Sequence, residues 1–224
     1  QLLLARLEQF VARQGFQDVA QGLAAVAVGV EPGLAHHVLE ALAHPDAQQE
    51  DAARSRALYV ASYIVYVTGR YEESFSLAQS SVELSRKCGD VPALAEGLYS
   101  LGIAAIAVGR QADAREHFNE GLALARAAGA RRSIATLSCG LGELHTHQGH
   151  LELAESAYLE SLTYSEGDPT GRVIVAHNLA RNAIALRDEG KAVRFLREAL
   201  VGEIPQISMA GLQLLMNCAG IASL

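Results

Sequence analysis

The chain has 224 residues, half of them apolar, with 18 Lys and Arg against 25 Asp and Glu for a net charge of −7. A chain of that length and apolar content can bury a substantial core, which excludes a disordered segment. An acidic chain whose densest basic point is Arg131-Arg132 lacks the cluster of cations that a phosphate backbone requires, which excludes a nucleic-acid surface.

In chain order, residues 1–12 and 17–30 read as a helix hairpin turning at Gln14-Gly15. Glu31-Pro32-Gly33 breaks the chain, 34–43 reads as a short extra helix, and His44-Pro45-Asp46 marks another turn. Residues 1–52 are therefore expected to form an irregular helical segment packed on the helices that begin at residue 53.

From residue 53 the sequence becomes periodic. Gly69, Gly109 and Gly149 are spaced by 40 residues, and Gly89, Gly129 and Gly167 form a second ladder, so each period holds two turns. Between the turns, apolar residues recur at helical spacing: Leu94, Leu98, Leu101, Ala105 and Val108, then Ala114, Phe118, Leu122 and Ala125. Each period is thus a helix hairpin, with boundaries at about 53–91, 92–131, 132–170 and 171–205, and half a repeat at 206–224. No stretch shows two-residue alternation, so no strand is expected. A lone hairpin cannot cover its apolar face, and stacking it on its neighbours gives one continuous core in a single structural domain.

The uncharged run at 204–224 holds Pro205, Gln206, Ser208, Gln213, Asn217 and Ser223, and reads as a buried helix rather than a membrane span. Its outer side offers a homodimer contact. Gln1 and Leu224 both look like cuts in a longer protein. Cys88, Cys139 and Cys218 are odd in number and far apart, as free thiols in a reducing cytoplasm would be.

These hairpins resemble the tetratricopeptide repeat. One repeat matches with Leu98, Leu101-Gly102, Gly109, Ala114, Phe118 and Gly121-Leu122, and the next with Leu141-Gly142, Gly149, Ala154, Tyr158 and Ser161-Leu162. The outer two are weaker, with Leu58, Gly69, Ser74 and Ser81-Val82 in one and Leu179-Ala180, Ala192 and Ala199-Leu200 in the other, where Arg187 replaces the turn glycine. The period of 40 exceeds the family's usual length of about 34, which implies helices longer by about a turn.

The resemblance implies an all-α, right-handed superhelical solenoid whose first helices line a concave groove that takes a protein or peptide segment. Carried onto this sequence, the groove positions are Arg56, Tyr59, Tyr63, Tyr66 and Val67; Glu96, Tyr99, Ile103, Ile106 and Ala107; Thr136, Cys139, Glu143, Thr146 and His147; and Ile174, His177, Arg181, Ile184 and Ala185. Tyr59, Tyr63 and Tyr66 share one helix face, with Tyr99 one repeat away. Two readings of these rings stand side by side: they anchor a partner, or they fill the core between helices.

Catalysis finds no support. There is no phosphate loop, dinucleotide fingerprint, nucleophile elbow or His-Glu-x-x-His pair. His145, His147 and His150 do not converge on one ion, since the first two point about 200° apart on a helix. Cys139 and His145 diverge on the same helix, and Gly121, Gly140 and Gly142 read as close helix contacts. No catalytic residue, cofactor or metal is expected.

The Ala, Leu, Gly and Arg richness and the 40-residue period are similar to the sensor arrays of large bacterial signal-responsive transcriptional regulators. That resemblance implies a sensor or scaffold between a nucleotide-switch module and a DNA-binding domain. A small-molecule effector domain, and an accessory array of a kinase or nucleotide cyclase, stay open as alternatives.

Overall fold

In a computed structural model the described residues are 33–44 and 51–203. The expected N-terminal hairpin and the half repeat with its dimer contact lie outside them. Among the described residues there are nine helices and no strand: α1 (Gly33–Ala43), α2 (Ala52–Val67), α3 (Tyr71–Cys88), α4 (Val91–Ala107), α5 (Gln111–Ala127), α6 (Arg131–His147), α7 (Leu151–Tyr164), α8 (Pro169–Ala185) and α9 (Glu189–Glu203).

The starts and stops come from local chemistry. Asp51, Asp90 and Asp168 precede α2, α4 and α8, and each carboxylate accepts a hydrogen bond from the backbone N–H three residues on, at Arg54 (2.8 Å), Ala93 (3.2 Å) and Gly171 (2.9 Å). Each satisfies a donor that the first helical turn leaves open. Six glycines of the two ladders, from Gly69 to Gly167, take φ between +63° and +82°. A Cβ at any of the six would meet nothing within 4 Å, so the turns need glycine for its backbone freedom and not for space. Arg187 adopts φ +60° at the turn where glycine is missing.

The chain divides into two compact units, residues 1–124 and 125–224, with the boundary inside α5. Each is a stack of antiparallel helix hairpins, an all-α solenoid of the tetratricopeptide type. In the first unit α1 lays Ala35, Val38 and Leu42 on Leu58, Ala61, Ile64 and Val65 of α2. Ala78 and Val82 of α3 pack with Leu94, Leu98 and Leu101 of α4. Phe118 is fully buried over Gly102, where a Cβ would stand 2.4 Å from the ring.

The second unit repeats the device with Tyr158, 2.4 Å from where a Cβ on Gly142 would stand. Its core joins Cys139, Ala154, Tyr158, Val175, Leu179 and Phe195. Hairpins are also tied through polar groups: Ser81 Oγ donates to the Ser55 carbonyl and Ser161 Oγ to the Ala135 carbonyl, both at 2.7 Å and both buried. On the second helices Arg86 pairs with Glu120 (2.7 Å) and Arg126 with Glu160 (2.6 Å), a rung repeated after 40 residues. Among the described residues no helix is long and apolar enough to cross a membrane.

Candidate partner-binding faces

In the first unit the relevant helices are α2 and α4. Tyr59 is only 4% exposed and Ile103 6%, so both lie beneath the surface and shape it from below. Tyr63 and Tyr66 are half-buried, and their rings stack with centroids 6.5 Å apart. Tyr66 also meets Tyr71, at 5.3 Å, and Tyr71 is 39% exposed. Tyr71 escaped the sequence reading because it opens a second helix; its spacing of five from Tyr66 across the Gly69 turn was the available signal. Tyr99 is half-buried with its ring 6.3 Å from that of Phe118. Arg56 is exposed and bonded at 2.6 Å to Asp90, and Glu96 is half-buried. This face is therefore aromatic.

In the second unit the helices are α6 and α8, and the chemistry changes. Thr136 is half-buried and donates to the Arg132 carbonyl at 3.1 Å. Cys139 is 6% exposed, and its sulfur accepts from Asn178 Nδ2 at 3.4 Å. Burial, helped by the neighbouring Glu143, pushes the thiol far above its usual range, so it stays protonated and is no nucleophile at neutral pH. Glu143 is half-buried, and burial raises its carboxyl to about 7 against the opposing pull of Arg181. Arg181 is exposed and His177 half-buried.

Tyr158 completes the group from α7. Its hydroxyl lies 3.1 Å from Thr146 Oγ1, which donates to the Gly142 carbonyl at 2.9 Å. Burial first, and then the charge of Glu143, push the phenol well above its usual range. Sequence reasoning missed Asn178 because it sits one residue past the expected His177 position. The His145 and His150 rings meet at 6.2 Å, and among the described residues no three His, Cys, Asp or Glu side chains are grouped to hold a metal.

Residues 53–127 match the tetratricopeptide repeat family. Regulatory protein AfsR of Streptomyces griseus is 26% identical over 123 residues, which cover 55% of this chain and 13% of that protein. The chain thus spans a small part of that relative. Among solved structures, a kinesin light chain protein of Podosopora anserina with nearly identical TPR-like repeats superposes with a TM-score of 0.58 at 17% identity, over 77% of this chain and 90% of that one. BtubC (BKLC) from P. vanneervenii gives 0.59 at 16% identity, over 95% and 85%. At those identities the likeness is one of fold.

Proposed function

We propose that this array of tetratricopeptide-type hairpins is a non-catalytic interaction module that takes up a protein segment along its first-helix faces. The observation that supports this reading is the run of adjoining rings Tyr63, Tyr66 and Tyr71, half-buried or exposed on the first unit. Tyrosine presents a large, rigid apolar area with a hydroxyl at its tip, and it costs little side-chain entropy to hold in place. The likeness over 123 residues to a regulatory protein supports placing the array inside a larger bacterial transcriptional regulator, as its sensor or scaffold.

The test is affinity capture from a bacterial lysate on the immobilised chain, beside a Tyr63→Ala/Tyr66→Ala/Tyr71→Ala variant of unchanged helicity. The expected outcome is one specifically retained protein whose affinity drops at least about tenfold in the variant, as loss of clustered aromatic anchors would cause. Equal retention by both, or nothing retained by the folded native chain, would sink the reading.

A further inference from the structure

Among the described residues, half-buried carboxylates come with partners. Asp90 is held by Arg56, Glu120 by Arg86, Glu155 by Lys191, and Glu160 by Arg126 and Ser138. Glu143 departs from that rule: among the described residues its carboxylate has neither a hydrogen bond nor an ion pair. Two neighbouring polar groups bond elsewhere: Asn178 Nδ2 donates to the Cys139 sulfur, and the Tyr158 hydroxyl meets Thr146. Arg181 is close enough to act on Glu143 by charge, yet it remains exposed. A half-buried carboxylate that no protein donor meets would be costly to cover with a bound segment, and the donor that relieves that cost most is a cation.

We propose that Glu143 on the inner face of α6 is the anchor for a lysine or arginine side chain of the partner segment. This rests on the interaction reading above and names the chemistry that the second unit selects. Arg181, standing in water, repels such a cation weakly because exposed charges are screened. Because the carboxyl of Glu143 lies near 7, the arriving cation ionises it and its proton passes to the buffer.

The probe is a randomised decapeptide library in three versions, fixed at the fifth position as lysine, acetyl-lysine or glutamate, applied to the whole chain and to Glu143→Gln. The native chain is expected to favour the lysine version about tenfold over the acetyl-lysine version, and Glu143→Gln to show no preference. On the native chain alone, calorimetry of an enriched lysine peptide at neutral pH in two buffers of different ionisation heat is expected to show proton release. Equal binding of the lysine and acetyl-lysine versions, a preference that survives in Glu143→Gln, or binding without proton release would overturn the proposal and leave the groove reading standing. No binding of any version would overturn both.

Discussion

The α4–α5 and α6–α7 hairpins are built to one plan, but their inner chemistry is opposite. Forty residues separate matching positions, so Phe118 over Gly102 becomes Tyr158 over Gly142, Ile106 becomes Thr146, Ile103 becomes Glu143 and Tyr99 becomes Cys139. The substitutions travel in sets. A tyrosine hydroxyl in the place of a phenyl hydrogen needs a partner, and Thr146 supplies it where the first unit has an isoleucine. The backbone repeat therefore fixes where a side chain points, and the side chains at a few positions decide the chemistry that each face presents. One face is aromatic and the other holds an unmatched carboxylate.

The largest effect should be the one common to both units. Phe118→Ala and Tyr158→Ala each remove a ring that fills the gap above a glycine, and each should cost about 4 kcal/mol in urea denaturation. A much smaller cost in one unit would show that the shared plan is not shared energetically.

The next effect should appear in the second unit alone. Glu143 is raised in the folded state from the ordinary 4.5 to about 7, so the native state binds the proton more tightly than the unfolded chain does. That contribution is fully present below pH 4.5 and is lost as the pH rises to 7, a decline of at most about 3 kcal/mol. Glu143→Ile, which imports the residue of the first unit, should flatten that part of the stability–pH curve, measured by denaturation at a series of pH values.

Smaller still are the exchanges that swap the two rings. Phe118→Tyr buries a hydroxyl where isoleucine, Ile106, stands at the position that Thr146 holds in the second unit, and should cost about 2 kcal/mol, whereas Tyr158→Phe gives up one hydrogen bond and should cost about 1 kcal/mol. Phe118→Tyr combined with Ile106→Thr should recover most of the loss, and failure to recover would break the comparison. Smallest is Arg187→Gly, which relieves a left-handed residue at φ +60° and should stabilise by about 1 kcal/mol, read as a rise in Tm.

The repeat architecture was readable because it rests on backbone chemistry. Positive φ at Gly69, Gly109 and Gly149 favours glycine, and a glycine that returns every 40 positions is visible in the sequence. The inner faces were less legible. Helical spacing places Tyr59 with Tyr63 and Tyr66, but a helix stripe does not separate residues that reach the surface from those that face the neighbouring helix. Tyr59, Ile103 and Cys139 fall on the buried side of that line. The state of Glu143 was hidden for another reason. It depends on how far neighbouring helices bury the carboxyl and on the charge of Arg181, which α8 brings to it from another part of the sequence.

The six left-handed turns carry a consequence about mirror images. With φ between +63° and +82° and open space where a side chain would start, each is a place where an amino acid of the opposite hand fits better than any ordinary one. A chemically assembled chain with D-alanine at Gly109 would keep the native bend while depriving the unfolded chain of alternatives, and should gain about 1 kcal/mol over glycine, whereas L-alanine there should lose a similar amount. The repeat is thus marked along its length by points where chirality itself is set aside.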